Sequence, residues 1–250
     1  MATVIQTDHL THRFADGTLA LDDVSLAFQQ GELTVVAGAN GSGKTTLLRH
    51  LNGLLTAQHG SVRVFGHSVK KDPLAARKAV GMVFQDADSQ IVGETVYDDA
   101  AFGPENLGLD RPEIDRRVNR ALAAVDLVGL ENKRPHHLSG GQKRRLAIAG
   151  VLAMEPQVLL MDEPFSNLDY PATSRVLEQI LDLDRRGHTI IITTHDLEKI
   201  IAHARRLVVM AEGRVVDDGR PEAVIGGIAR HGIRPPCSVQ LGKGIRPWVN

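Results

Sequence analysis

The residues from Gly38 to Thr45 have the types and spacing of a phosphate-binding loop. They fit the pattern G-x-x-x-x-G-K-[ST], after an apolar run and before a leucine-rich segment. Glycines let the backbone curl so that its N–H groups point at phosphate oxygens, and the helix start adds a positive dipole end. We expect Lys44 to reach the β- and γ-phosphates and the Thr45 hydroxyl to ligate Mg²⁺. The alternative is a glycine-rich turn without a ligand.

Two adjacent carboxylates, Asp162 and Glu163, follow the apolar run Val158–Met161. Such a run predicts a buried strand, and ligands bind at the carboxyl ends of strands in open α/β sheets. Because neighbouring residues of a strand point in opposite directions, the two carboxylates are expected to do different work. Asp162 suits Mg²⁺ coordination, and Glu163 suits proton abstraction from an attacking water. The alternative is a strand end followed by a charged turn.

A second glycine-containing helix start lies at Ser139–Gln142. Ser139 and Gln142 fit a capping box, so the segment could be only the beginning of a helix. Adjacent glycines add nothing to a helix start, but they let the backbone approach an anion closely. The chain then has two helix starts that bind phosphate. In one compact subunit these two helix starts cannot face the same side of one nucleotide unless the subunit rearranges. We therefore expect a second subunit to supply one of them.

The elements that must position these groups predict an α/β fold. Alternating residues near the N-terminus, with a turn at Asp16–Gly17, predict antiparallel strands joined by a hairpin. Apolar runs at 32–37, 158–161 and 189–192 predict buried strands with helical repeats between them. Such alternation implies a mostly parallel sheet with helices on both faces. A further hairpin is predicted to turn at Glu212–Gly213.

A helical block, residues from about 86 to 157, is predicted to be inserted in this fold, because helical spacing recurs there without a strand signal. We assign residues 1–228 to one domain. Residues 229–250 lack periodicity and are predicted to form an irregular C-terminal extension. The leucines from Leu47 to Leu55 are predicted to lie on one helical face.

Composition and charge exclude some functions. The chain has 29 Lys and Arg against 30 Asp and Glu, so it is not a strongly basic nucleic-acid binder. The single cysteine, Cys237, excludes an intramolecular disulfide and a cysteine-based metal cluster. Neither a signal peptide nor a membrane-spanning run is recognisable, so we expect a cytoplasmic protein that meets a membrane only through a partner.

With these motifs in this order, the chain resembles the nucleotide-binding subunit of an ABC transporter over residues 3 to about 228. The L-S-G-G-Q sequence at 138–142 is the most diagnostic motif. The resemblance implies a P-loop NTPase core of ABC type, with an N-terminal antiparallel β-subdomain and an inserted helical subdomain. It also implies two subunits, identical or paralogous, that enclose two ATP molecules. Each ATP would lie between one subunit's glycine-rich loop and the other's Ser139–Gln142 segment.

The resemblance also assigns roles residue by residue. Phe14 takes the place of the aromatic that stacks on adenine, usually a tyrosine. Gln85 matches a glutamine that contacts Mg²⁺ or the attacking water, and His195 matches a histidine that contacts the γ-phosphate. Ser166–Asp169 matches a dimer-contact loop. The implied site residues are catalytic Lys44, Gln85, Glu163 and His195; metal-binding Thr45, Gln85 and Asp162; and ATP-binding Phe14, Gly38, Ala39, Asn40, Gly41, Ser42, Gly43, Lys44, Thr45, Thr46, Ser139, Gly140, Gly141 and Gln142.

Residues 86–108 are similar to the corresponding segment of the ATPases of energy-coupling-factor importers, although Ala87 stands where that family usually has proline. The resemblance implies an ATP-hydrolysing motor for a vitamin or a transition-metal ion, such as cobalt, nickel or biotin. It would dock on an integral membrane coupling protein, beside a substrate-binding membrane subunit, at the cytoplasmic face of the membrane. We expect docking through the segment around Asp88-Ser89-Gln90 and Phe102-Gly103-Pro104. The apolar and acidic residues expected to be exposed there, to receive an amphipathic helix bearing Arg or Lys, are Ile91, Val92, Tyr97, Asp98 and Asp99. We expect Lys143-Arg144-Arg145 to form a solvated helix face.

Other functions remain open at this point. A soluble ABC ATPase of DNA repair would carry a long coiled coil, whereas the segment between Lys44 and Pro156 is short and has no sustained heptads. A ribosome-associated ATPase would carry two ATPase cores. A non-catalytic regulatory binder would not need Glu163 and His195. The ATPase of another ABC importer class is a further alternative.

Overall fold

The structure, a computed structural model, describes residues 2–249. Its strands are β1 (Thr3–Arg13), β2 (Leu19–Gln29), β3 (Leu33–Ala37), β4 (His59–Val64), β5 (His67–Ser68), β6 (Val80–Val83), β7 (Val158–Asp162), β8 (Thr189–Thr194), β9 (Arg206–Ala211) and β10 (Arg214–Gly219). Its α-helices are α1 (Lys44–Leu51), α2 (Pro73–Ala79), α3 (Val96–Asn106), α4 (Arg111–Ala124), α5 (Gly140–Ala153), α6 (Tyr170–Arg185), α7 (Pro221–Val224) and α8 (Cys237–Gln240). Helices separate β3, β6, β7 and β8 along the chain, as expected for an α/β fold.

A four-stranded antiparallel sheet, in the order β2-β1-β4-β5, forms the N-terminal β-subdomain. The β1–β2 hairpin turns at Asp16–Gly17, where Gly17 has a φ of 89°, so the predicted turn is confirmed. Along β1 the side chains of Ile5 and Leu10 are fully buried among exposed polar neighbours. The hairpin carries Phe14, and its position depends on this sheet.

A six-stranded sheet, in the order β10-β9-β3-β8-β7-β6, forms the centre of the molecule. Its strands are parallel apart from β10, which forms the predicted hairpin with β9. Ala37 of β3 pairs with Thr194 of β8, and Thr193 pairs with Asp162 of β7. The carboxyl ends of these strands therefore lie side by side, and the loops that follow them meet at one edge of the sheet.

The central strands are buried on both faces, which explains their continuous apolar sequences. In β3, Val35 packs into a core that includes residues of α3, α4, α5 and α6. Its neighbour Val36 packs into a second core, with residues of α1 and the antiparallel sheet. Because both faces are covered, a polar ligand can reach the central strands at their ends rather than on their faces.

Helices α3, α4 and α5 lie within the predicted helical block, and in the described chain no strand occurs between β6 and β7. The boundaries 86–157 and 1–228 stay predictions. The segment expected to be irregular contains α8, and Trp248 packs on Tyr170 with 5.0 Å between ring centroids. The Cys237 N–H also donates to Glu198 Oε2 over 2.7 Å, so residues 237 and 248 both contact the rest of the fold.

Two local features differ from the sequence prediction. Helix α1 ends at Leu51 because the chain turns at Gly53, which has a φ of 74°; Leu54 therefore lies beyond the helix and is exposed. The second is a short helix and strand, α2 and β6, that periodicity did not predict. A signal existed: Asp72 accepts the Ala75 N–H over 2.9 Å as the N-cap, and proline follows it at the first helical position.

Candidate nucleotide-binding site

Four segments that follow parallel strands meet at the carboxyl edge of the central sheet. Lys44 follows β3, Gln85 follows β6, Glu163 follows β7 and His195 follows β8. A cavity of about 450 Å³ opens at this edge. Its lining includes Phe14, Thr18, Leu19, Ala20, Asn40, Gly41, Ser42, Gly43, Lys44, Thr45, Thr46, Gln85 and Glu163. The structure thus gathers most of the residues implied by the resemblance around one cavity.

The loop from Gly38 to Gly43 is so tightly folded that two of its glycines have no room for a side chain. A Cβ on Gly38 would lie 2.3 Å from Ser42 Oγ and 2.5 Å from the Met210 carbonyl oxygen. Gly43 has a φ of 97°, and its Cβ would lie 2.4 Å from the Ala20 carbonyl oxygen. These glycines are therefore required by close backbone approach as well as by conformation.

The start of α1 fits a phosphate group. Gly43 caps this helix without a side-chain hydrogen bond, so the first N–H groups of the helix are left for another acceptor. The buried Ser42 hydroxyl also has no hydrogen-bond partner among residues 2–249. Unsatisfied donors at a helix start, together with the helix dipole, form an anion-binding site.

Lys44 brings a buried positive charge to the same loop. Its side chain is 6% exposed, and Nζ donates to the carbonyl oxygens of Gly38 at 2.7 Å and Ala39 at 3.0 Å. Burial lowers the pKa of Lys44, and the nearby carboxylates Glu163 and Asp162 oppose that shift. An ammonium group in this position gains from an anionic ligand such as a phosphate.

Thr45 and Asp162, the two predicted Mg²⁺ ligands, lie side by side. The Thr45 hydroxyl donates to Asp162 Oδ2 over 2.7 Å, and the Thr193 hydroxyl donates to Oδ1 over 2.5 Å. Mg²⁺ in nucleotide sites is commonly held by one or two protein oxygens, substrate phosphates and waters. No cluster of three or more His, Cys, Asp or Glu residues occurs in the described chain, and a Mg²⁺ site of this kind needs none.

Glu163 is directed by its backbone conformation and not by strand alternation. The sequence prediction used alternation, but β7 ends at Asp162 and Glu163 has a φ of 47°, in the left-handed region. For a residue with a side chain this conformation is costly, and it tends to occur at functional sites. The carboxylate is 6% exposed and accepts from the Thr194 hydroxyl over 3.2 Å. The two carboxylates thus have different partners. Their separation comes from the left-handed backbone conformation of Glu163 and not from strand alternation.

His195 contacts Glu163 directly. Its Nδ1 lies 2.8 Å from Glu163 Oε1, while the imidazole as a whole is about half exposed. An ionised carboxylate can only accept, so this contact is a hydrogen bond when Nδ1 carries the ring proton. The role predicted for His195 did not include this partner. Thr193 and Thr194 were not among the predicted site residues, although two threonines after three isoleucines indicate polar contacts at the end of that strand.

Phe14 lies on the rim of the cavity, where its ring is 39% exposed. The His12 ring makes an edge-on contact with the Phe14 ring, with 4.8 Å between ring centroids. His50 packs on His12 at the same distance. An exposed aromatic ring on a firm base suits stacking against a purine.

The buried His50 predicts that acid destabilises the fold. It is fully buried, and burial, helped by repulsion from His12, lowers its pKa to about 4. Between that value and the ordinary value of 6.5, the unfolded chain binds more protons than the folded chain, so the free energy of unfolding falls as pH falls. Urea unfolding should show that the free energy of unfolding falls from pH 7 to pH 5 by about 2 kcal/mol more in the native chain than in His50→Phe. Replacement of the exposed His67 by phenylalanine is the control, and equal pH slopes in the native chain and His50→Phe would contradict the prediction.

The Ser139–Gln142 segment does not line this cavity. Its capping box is present: Ser139 Oγ accepts the Gln142 N–H over 3.3 Å, and Gln142 Oε1 accepts the Ser139 N–H over 2.9 Å. Gly141 is required for packing, because its Cβ would lie 2.6 Å from Ala172 Cβ. A Cβ on Gly140 would meet nothing within 4 Å. Gly141 therefore has a packing role of its own, and the anion-binding role of both glycines stays a prediction.

The prediction of a solvated face at Lys143-Arg144-Arg145 is wrong for both arginines. Arg144 is 4% exposed and Arg145 is 5% exposed. Each guanidinium is surrounded by backbone carbonyl oxygens from other elements. Their burial depends on packing against distant residues, which the local run of charges does not reveal.

Comparison with known proteins identifies relatives of this chain. The ABC transporter family model matches residues 21–166. The chain is 43% identical over 228 residues to the energy-coupling factor transporter ATP-binding protein EcfA of Methanocaldococcus jannaschii, across 90% of this chain and 82% of that relative. It is 45% identical over 248 residues to the cobalt import ATP-binding protein CbiO of Rhodobacter capsulatus, across 96% of this chain and 88% of that relative.

A solved structure gives the same result for the fold. CbiO1 from Clostridium perfringens, part of the ABC transporter complex CbiONQ, has a TM-score of 0.83 and 36% sequence identity. The match covers 97% of this chain and 100% of that chain. The predicted fold class, an ABC-type P-loop NTPase core, is confirmed.

Proposed function

We propose a transport function from one premise: the chain belongs to the ABC transporter family, as an ATPase subunit. The proposed function is the motor of an energy-coupling-factor importer for a vitamin or a transition-metal ion, such as cobalt, nickel or biotin. The observation that supports it most is the similarity to EcfA and CbiO over nearly the whole chain. The edge that joins Lys44, Glu163 and His195 supplies the chemistry such a motor needs.

The proposed residue roles are those that the resemblance implies, and the contacts of Lys44, Thr45 and Glu163 support them. Lys44 and the N–H groups of its loop bind the phosphates of ATP, and Phe14 stacks on the adenine. Thr45, Asp162 and Gln85 hold Mg²⁺, which when bound neutralises charge on the phosphate oxygens. Glu163 takes a proton from the attacking water while the water oxygen bonds to the γ-phosphorus and the bond to the bridging oxygen breaks. His195 orients Glu163 and contacts the γ-phosphate.

The active unit is proposed to be a dimer. Ser139–Gln142 lies outside the cavity lined by its own chain, although it has an accessible helix start at Gly140. A second subunit, identical or paralogous, brings its own Ser139–Gln142 segment to this cavity. ATP can drive closure of such a dimer only if it binds the closed state more tightly than the open state.

An apolar groove beside the Gln85 loop is the proposed docking surface for a membrane partner. This surface, named the Phe102 groove, has a volume of about 400 Å³, and its lining includes Leu54, Met82, Phe84, Val92, Phe102 and Met154. Leu54, Val92 and Phe102 are exposed large apolar side chains, which is typical of a protein interface. Because Phe84 directly precedes Gln85, an occupant of the groove would lie next to the ATP site.

The earlier expectation that Asp99 lies on an exposed docking surface is wrong. Asp99 is 8% exposed, and its carboxylate accepts the N–H groups of Val92 at 2.8 Å and Gly93 at 3.0 Å. Asp98 is exposed but works in the capping box of α3 with Thr95. Reversing these charges would disturb the fold of the segment, so the apolar groove is the better target for a test.

The proposed occupant of the Phe102 groove is a cytoplasmic helix of an integral membrane coupling protein, which works beside a substrate-binding membrane subunit. Within residues 2–249, no helix combines the length and the apolar character that crossing a bilayer requires. The proposed location, the cytoplasmic face of the cell membrane, follows from docking on this coupling protein.

Phe102→Asp is expected to prevent assembly with membrane components and to leave ATP binding unchanged, because a charge replaces apolar area in the groove. Co-purification from solubilised membranes measures assembly, with nucleotide titration alongside. Val128→Asp is the matched control, since Val128 is 67% exposed and does not line the groove. Equal recovery of membrane partners with Phe102→Asp and the native chain would remove the docking proposal.

Reconstitution tests the function as a whole. The chain and its co-purified membrane partners are placed in lipid vesicles, and uptake of labelled cobalt, nickel and biotin is measured with and without ATP. Uptake of one of them that requires ATP would support the proposal. Purification of the native chain only in soluble complexes would contradict it.

A further inference from the structure

Arg144 connects helix α5 to the Gln85 loop. It is 4% exposed and lies one turn after Gly140, the first residue of α5. Its Nη1 donates to the Phe84 carbonyl oxygen over 2.6 Å, and Nη2 donates to the Gln85 carbonyl oxygen over 2.5 Å. One guanidinium thus holds two consecutive carbonyls at the point where the chain leaves β6 for the cavity.

This contact is specific to arginine and costly to bury. The guanidinium is a planar fork that can hold two acceptors in fixed directions, whereas an ammonium group is a point donor on a flexible chain. Burial lowers the pKa of Arg144, with Asp86 and Asp162 opposing the shift, and its Nε has no hydrogen-bond partner among residues 2–249. A buried cation that is incompletely hydrogen-bonded contributes little to the stability of the fold, so stability alone does not explain Arg144.

We infer that Arg144 is a positioning residue that fixes Gln85 relative to the start of α5. The inference rests on the proposed function, in which Ser139–Gln142 meets the nucleotide of the partner subunit and Gln85 serves the chain's own ATP site. When the nucleotide of the partner subunit displaces α5, Arg144 moves the carbonyls of Phe84 and Gln85. Gln85 then shifts in the ATP site of its own chain. Arg144 therefore couples the two ATP sites of the dimer.

Arg145 provides a matched comparison within the same helix turn. It is also buried, at 5% exposed, and it also donates to two carbonyl oxygens, those of Val125 at 3.0 Å and Asp126 at 3.2 Å. These carbonyls lie at the end of α4 and not on the Gln85 loop. Arg145 uses Nη1 alone for both carbonyls, and loss of this contact should weaken packing without moving Gln85.

The test is a double-mutant cycle in the full-length chain, assembled with its membrane partners. Arg144→Lys and Arg145→Lys are made alone and together with Gln85→Ala, and kcat and KM for MgATP are measured. Arg144→Lys should lower kcat by about 10-fold or more with little change in KM, because small displacements of a catalytic group are costly. Arg145→Lys should lower kcat by less than about 2-fold. In the Gln85→Ala background, Arg144→Lys should cost less than about 2-fold more, since both changes act through one group.

Three results would overturn the inference: an equal loss of kcat from both lysine variants, an undiminished effect of Arg144→Lys in the Gln85→Ala background, or a native kcat in Gln85→Ala. If Arg144→Lys does not fold, Arg144→Gln takes its place in the cycle, because its amide can still donate to one carbonyl. Failure of the proposed function is distinguishable, since the native chain would then be recovered only in soluble complexes and its vesicles would show no ATP-dependent uptake, whatever the outcome of the mutant cycle.

Discussion

Glu163→Gln should lose ATP turnover and keep ATP binding. Glutamine has the size of glutamate, and its carbonyl oxygen can still accept from Thr194 or His195, so the site keeps its shape. It cannot take a proton from water, and the loss of a general base typically lowers the rate by about 10² to 10⁴-fold. Phosphate release measures turnover, and titration with a fluorescent ATP analogue measures binding.

Lys44→Ala is the contrasting variant for this test. It removes the buried ammonium that lies among the loop carbonyls, and with it the charge that receives the phosphates. We expect its Kd for ATP to rise by about 10-fold or more, since charge-assisted hydrogen bonds contribute about 1.5–3 kcal/mol each. An equal loss of ATP affinity in Glu163→Gln and Lys44→Ala would refute the assignment of Glu163 as the base.

Ser139→Arg should inactivate the partner's ATP site and not its own. Ser139 is exposed and does not line the cavity of its own chain, so ATP binding by a single subunit should be unchanged. In the dimer the arginine adds bulk and charge where the γ-phosphate is held, and the loss of such contacts costs about 10² to 10³-fold in kcat. Ser139→Ala is the control, because it removes the same helix cap, a cost of about 1 kcal/mol, without adding bulk.

Mixing two inactive variants tests whether each ATP site is formed by both subunits or by one. In a dimer of one Ser139→Arg and one Lys44→Ala subunit, one site carries both defects and the other carries neither. Two preparations that are each inactive should therefore regain part of the native rate when mixed. Full-rate hydrolysis by a monomer, independent of protein concentration, would contradict the composite-site scheme.

The residues that act through the local backbone could be predicted from the sequence. The loop from Gly38 to Thr45 needs glycines for its tight fold and a helix directly after it. The residues that specify the loop and the helix start are near neighbours in the sequence. The capping box at Ser139 and Gln142 and the hairpin turn at Asp16–Gly17 are local in the same sense. The order of strands and helices predicted a parallel sheet, so it also predicted that Lys44, Asp162 and Glu163 would meet at one edge.

The tertiary structure alone decided which polar groups are buried and what they contact. Arg144 and Arg145 stand in a stretch that looks solvated, yet both are covered by elements distant in sequence. Asp99 is buried because its carboxylate accepts from the backbone of Val92 and Gly93. Gly140 and Gly141 are equivalent by sequence, and only the approach of α6 at Ala172 distinguishes them. Backbone conformation and capping depend on a few adjacent residues, whereas burial and partner choice depend on the whole packing of the chain. For this reason the phosphate loop was predictable from the sequence and the link from Arg144 to Gln85 was not.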